Sequence, residues 1–141
     1  MAKLNINVRS FSYKRGIPED PSGNGGGFVF DCRGILNPGR IAQFKTKTGR
    51  DQEIIEYLEE NTKMSTFLEC AYEMIDITIA DFIERGFTNL EINFGCTGGQ
   101  HRSVYAADQM AKHIQEKYPV DTHVHIIHLI QEEKNWINET Y

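Results

Sequence analysis

Residues 95–103 read GCTGGQHRS. Cys96 is followed by five residues and then by Arg102 and Ser103. Cysteine-dependent phosphatases use this spacing: a thiolate attacks phosphorus while an arginine grips the phosphate oxygens with two parallel hydrogen bonds. The same residues suit a loop that only holds an anion. Gly95, Gly98 and Gly99 let backbone approach a ligand closely. Thr97 and Ser103 offer hydroxyls, and His101 and Arg102 offer hydrogen bonds or charge. A helix beginning just beyond them aims unpaired N–H groups and its positive end at the loop. Catalysis also needs a general acid, and Asp20, in a turn-rich segment, is the one appealing candidate. Anion binding needs no such group, so it asks less of the sequence; Cys96 as a nucleophile stands as the alternative.

A loop of this kind has to be held by a scaffold. The hydrophobic pattern predicts strands over 4–11, 27–33, 89–95 and 122–129, and helices over 51–60, 64–85, 100–118 and 132–138. Trp136 is expected to pack back from the last of these. Strand 89–95, helix 100–118 and strand 122–129 make a βαβ unit, which implies parallel pairing and a right-handed crossover. The expected fold is α/β: a single three-layer-like domain over residues 1–141, with a small, mainly parallel four-stranded sheet flanked by helices. Residues 18–27, PEDPSGNGGG, read as a flexible surface loop. A strand follows them rather than a helix start, which argues against a phosphate cradle there.

In parallel sheets, ligands bind beyond the carboxyl ends of the strands. The loops after strands one, two and three would converge there. Tyr13, Lys14, Arg15, Arg33, Asn37, Thr48, Gly49 and Arg102 would then line one basic pocket, with Lys45 and Lys47 as scattered surface charges. Charge distribution fits: residues 1–50 hold nine Lys/Arg against three Asp/Glu, whereas residues 51–141 hold six against seventeen. The net charge of −5 argues against broad nucleic-acid binding. His123 and His125 share a strand face, but two ligands without a third do not make a metal site; no metal and no cofactor are expected. His128 points to the other face, near enough to the strand end to reach the pocket. Three cysteines without a C-x-x-C pair point to a reducing, cytoplasmic setting rather than a disulfide framework or zinc. The chain has no run of apolar residues long enough to span a membrane.

Four segments occur in order: SFSYKRGIP, FVFDCRGILNP, the KTG-D stretch and GCTGGQHRSV. Together they resemble the C-terminal domain of the RNase adapter protein RapZ, the YvcJ family, over residues 4–129. Full-length members carry an N-terminal nucleotide-binding domain with a Walker-type loop; this chain has no G-x-x-x-x-G-K-[S/T]. The resemblance implies a non-catalytic sensor or adapter module that recognises a phosphorylated sugar such as glucosamine-6-phosphate and works with a separate protein partner. It implies that Thr97, Gly98, His101 and Arg102 hold phosphate or sugar, with Arg33 and the YKRG segment beside them. Family members also bind small RNAs through a strongly basic tail. Here the tail, QEEKNWINETY, carries one Lys and three Glu, which argues against RNA binding and leaves an RNA adapter as the second alternative. The SGNGGG insertion is also longer than the family's usual connection.

Overall fold

The computed structural model describes residues 3–139. Met1 and Ala2, and Thr140 and Tyr141 of the acidic tail, lie outside the described residues. The chain runs β1 (Leu4–Ser12), β2 (Phe28–Asp31), three short 3-10 turns (Cys32–Gly34, Pro38–Arg40, Ala42–Phe44), α1 (Gln52–Asn61), α2 (Met64–Arg85), β3 (Asn89–Cys96), α3 (Arg102–Lys117), β4 (Thr122–His128) and α4 (Leu129–Glu133). The four strands form one sheet in the order β2-β3-β1-β4, and every neighbouring pair is parallel.

Connection handedness explains the layering. From β2 to β3, and from β3 across β1 to β4, the chain advances in the same direction along the sheet. Right-handed crossovers then place both helical connections on one face. There, Leu4, Ile6 and Val8 of β1 and Leu90, Ile92 and Phe94 of β3 pack with Ile75 and Ile79 of α2 and Ala107, Met110 and Ile114 of α3. Stepping back from β1 to β2 reverses the direction, and residues 17–27 of that connection lie over the opposite face. The third layer is thus a loop rather than helices.

That opposite face is polar. Asn5, Asn7 and Arg9 of β1 stand against Asn89, Glu91 and Asn93 of β3. Arg9 donates through Nε to Asn93 Oδ1 at 2.8 Å and through NH1 to the Glu19 carbonyl at 3.0 Å, pinning the loop down. Within the loop, the Asp20 carboxylate accepts from Ser22 and from the Gly26 amide, and these bonds hold its pKa below the ordinary value. Asp20 therefore organises its own loop on the polar face and does not reach the Cys96 loop as a general acid. His123 and His125 are exposed on the edge strand β4, their rings stacked at 4.9 Å. Among the described residues no group of three potential metal ligands forms, and no helix is long and apolar enough to cross a membrane.

Elements end where local chemistry stops them. Helix α2 closes on Gly86 in the left-handed conformation, with the Gly86 and Phe87 amides capping carbonyls of Ile83 and Phe82. The last helix falls at Leu129–Glu133 rather than 132–138, because Asn135 and Trp136 adopt left-handed backbone (φ 53° and 61°) and turn the chain back. Trp136 then sets its ring edge-on to His128 at 5.5 Å, with the Arg50 guanidinium over it at 4.6 Å. His128 itself is only 2% exposed. Its Nδ1 lies 2.6 Å from Ser10 Oγ, and its Nε2–H donates to Asp108 Oδ1 at 2.8 Å. It is a satisfied core histidine joining β1, β4 and α3, and it does not line the pocket that the sequence suggests it reaches.

Glu91 sits under the loop at 1% exposure, and among the described residues neither carboxylate oxygen has a partner at full hydrogen-bonding geometry. Burial raises its pKa; the Asn7 amide and the Arg9 charge pull the other way without reversing the shift. The folded protein therefore retains a proton that the unfolded chain has released. Stability is expected to fall as pH rises from the ordinary value of 4.5 through the folded value, then to level off. Urea unfolding across this range measures it, and Glu91→Gln should remove that portion of the slope.

Candidate functional site

The carboxyl ends of β1, β2 and β3 meet at residues 95–103, as the strand order requires. The loop leaves β3 at Cys96, whose carbonyl accepts from the Tyr13 amide at 3.0 Å; Ser12 Oγ donates to the Thr97 carbonyl at 2.6 Å. Gly99 has φ 66°, and a Cβ there would meet Ile130 Cγ1 at 2.7 Å, so only glycine fits this bend. Beyond it α3 begins at Arg102.

A second segment, residues 44–49, is fastened to this loop. Gln100 Nε2 donates to the carbonyls of Lys45 and Lys47, each at 2.7 Å. His101 Nε2 lies 2.9 Å from the Phe44 carbonyl, which can only accept, so Nε2 carries the proton. Burial depresses the His101 pKa, against the opposing pull of its backbone partners. His101 is thus held neutral and supplies hydrogen bonding rather than charge. Gly49 donates to the Gln100 carbonyl at 3.0 Å, and a Cβ on it would lie 2.4 Å from the His101 carbonyl and 2.5 Å from the Tyr105 nitrogen.

Arg102 is 4% exposed. Its NH1 donates to three carbonyls of the turn after β2: Ile35 at 2.7 Å, Arg33 at 3.2 Å and Cys32 at 3.4 Å. Its Nε is buried without a partner among the described residues. One end of the guanidinium is therefore fixed, and the inner donor is unsatisfied beside a cavity.

That cavity has a volume of about 290 Å³. Of the residues singled out from sequence, Lys14, Asn37, Cys96, Thr97, Gly98, His101 and Arg102 line it. Gly39, Lys45 and Gln100 join them. Lys45, read from sequence as a scattered surface charge, is part of the wall. Three cations, Lys14, Lys45 and Arg102, face the space, and its lining includes no carboxylate. A larger cavity of about 730 Å³ lies at the amino ends of β2 and β3, between Phe28, Phe82 and Phe87, and carries no charged side chain.

The other residues named from sequence lie outside this lining. Arg33 is chelated by Asp31, with its closest contact at 2.7 Å, and lies 3.8 Å over the Tyr13 ring. Thr48 receives the Arg50 amide and gives its own amide to Asp51, so both shape the turn into α1. Gly49 and Gly99 serve close packing. Ser103 is fully buried, its Oγ 3.1 Å from Cys96 Sγ. What sequence reasoning missed is Gln100: its polarity is visible, but its two acceptors lie 53 and 55 residues away.

A family model described as the RapZ C-terminal domain matches residues 4–130. A nucleotide-binding protein of Endomicrobium trichonymphae is 38% identical over 114 residues, covering 81% of this chain and 38% of the relative. One from Xylella fastidiosa is 39% identical over 115 residues, 82% of this chain and 38% of the relative. One from Ruminiclostridium cellulolyticum is 41% identical over 112 residues, 79% and 37% respectively. The chain therefore spans little more than a third of the length of these relatives.

Removing the Gln100 amide takes a donor from each of two partly buried carbonyls. Gln100→Ala is expected to cost about 1–3 kcal/mol of stability. Hydrogen exchange should accelerate at residues 44–49 while the amides of β1 and β3 stay protected.

Proposed function

Because the chain belongs to the RapZ C-terminal domain family, we propose that it is a non-catalytic sensor or adapter module whose cavity takes a phosphorylated sugar such as glucosamine-6-phosphate. The observation that carries this reading is Arg102. A buried guanidinium with one nitrogen anchored on three carbonyls and Nε unpartnered is preorganised for an acceptor that arrives with the ligand. Lys14 and Lys45 add two charges, and the cavity lies at the start of α3, where a helix dipole favours an anion. Thr97 and Gly98, both exposed at the loop tip, leave room for the rest of a small molecule. The volume sits near the low end for small-molecule sites, which run from about 300 to 1,000 Å³. The relatives' nucleotide-binding name belongs to proteins about twice as long, and nucleotide binding through a Walker-type loop is not part of this proposal.

Calorimetric titration with glucosamine-6-phosphate, glucose-6-phosphate and inorganic phosphate tests it. Lys14 is exposed, so Lys14→Ala should fold normally and weaken binding about 10-fold or more, the worth of one charge-assisted bond. Arg102→Ala should abolish binding. Absence of binding to wild type at millimolar ligand would overturn the proposal.

A second reading, a cysteine phosphatase, draws on Cys96 lining the cavity with Ser103 Oγ at 3.1 Å, where a hydroxyl can stabilise a thiolate. With Asp20 on the opposite face of the sheet and no carboxylate in the lining, a general acid is missing among the described residues. An aryl phosphate should therefore be hydrolysed at the same background rate by wild type and Cys96→Ser; a thiol-dependent rate would favour the enzyme instead.

A further inference from the structure

We propose that Cys32 and Cys96 form a reversible disulfide across the floor of the anion cavity, and that this oxidation blocks ligand binding; the blocking step rests on the anion-site reading above, and the disulfide does not.

The sheet register brings the two cysteines together. Strands β2 and β3 pair in parallel up to Asp31 opposite Gly95, and Cys32 and Cys96 follow those two residues directly, Cys32 as the first residue of the 3-10 turn. Just before this, Phe30 and Phe94 stack at 5.1 Å. Cys32 and Cys96 both belong to the buried core cluster that holds Phe94. Neighbouring strands lie about 4.8 Å apart, inside the window of about 4.4–6.8 Å between α-carbons that a disulfide tolerates. Both thiols are free. They are also near enough to act on one another electrostatically: a Cys96 thiolate adds to the burial that pushes the Cys32 thiol far above its ordinary pKa.

The two sulfurs have different roles. Cys96 lines the cavity, at the start of the loop that leads into α3, with Ser103 Oγ beside it. It is the thiol that a small oxidant meets. Cys32 is fully buried behind it and acts as the resolving thiol. With hydrogen peroxide, the Cys96 thiolate attacks one peroxide oxygen and the O–O bond breaks. Cys96 becomes a sulfenic acid and the departing hydroxide takes a proton to leave as water. The Cys32 sulfur then attacks the Cys96 sulfur, and the S–O bond breaks. The leaving hydroxide takes the proton that Cys32 gives up and departs as a second water. Two thiols have lost two protons and two electrons, and the peroxide has become two waters. Adjacency on the sheet offsets the low thiolate fraction of Cys32. A dithiol reverses the bond by exchange.

The bond would reach the ligand site through Arg102. NH1 of that residue is anchored on the carbonyls of Cys32, Arg33 and Ile35. Drawing Cys32 toward Cys96 shifts those anchors and fills the cavity floor with sulfur.

The test uses the full chain carrying Cys70→Ser, which removes the exposed third thiol. After peroxide treatment and alkylation of remaining thiols, peptide mass spectrometry should recover one cross-linked species joining the peptides of Cys32 and Cys96. Titration with glucosamine-6-phosphate should show at least a tenfold loss of affinity that dithiothreitol restores. In Cys32→Val, Cys96 should instead proceed to sulfinic and sulfonic acid with no cross-link. Overoxidation of Cys96 without a cross-link in the parent, or cross-links only between molecules, overturns the disulfide. A cross-link with unchanged affinity overturns the blocking step alone. Reduced protein that binds no phosphate overturns the anion reading and the blocking step, while the peptide map still decides the disulfide.

Discussion

A buried guanidinium holds the functional end of this protein together. Arg102 opens α3, and its NH1 bonds three carbonyls in the turn that follows β2. An arginine at 4% exposure is costly unless its donors are met. The turn at Cys32–Gly34 meets part of that demand, and the unpartnered Nε marks what is left. The same side chain thus fixes the position of the loop and ties two strand ends to one helix. Gln100 and His101 extend the arrangement by fastening residues 44–47 to the same loop. The cavity wall is built largely from backbone held by side chains, so it is formed before any ligand arrives.

The sheet's asymmetry follows from chain direction. Both helical crossovers advance the same way, so the helices share one face and the core lies there. An all-parallel sheet normally buries both faces. Here the second face carries Asn, Arg and Glu, and a loop organised by Asp20 covers part of it. This separates the charges by role. Arg9 and Asp20 serve the loop; Lys14, Lys45 and Arg102 serve the cavity. The basic character of the first fifty residues is therefore not one patch.

Much of this was legible in the chain itself. Four strands, the long helix α2 and the βαβ unit were readable because alternation of two and stripes of 3.6 are local properties. The GCTGGQHRS loop stood out through residue types that have little other reason to cluster, and Thr97, Gly98, His101 and Arg102 of it line one cavity. The family resemblance rested on the same segments. Less legible were residues whose partners lie far along the sequence. His128 reads as a site histidine until Ser10 and Asp108 satisfy both of its nitrogens. Arg33 is the exception with a local partner: it reads as a phosphate ligand, and Asp31, two residues away, chelates it. Lys45 reads as surface charge until Gln100 draws its segment inward.

The sequence by itself determined that a parallel sheet would present a glycine-rich, arginine-bearing loop at a helix start, because strand periodicity, helix dipole and glycine geometry act within a few residues. Only the tertiary structure decided which charges share the cavity, which are neutralised within their own loops, and that Cys32 stands beside Cys96. Those outcomes depend on strand order and register, set by the direction of each crossover and the packing of the whole core, and no local pattern encodes them.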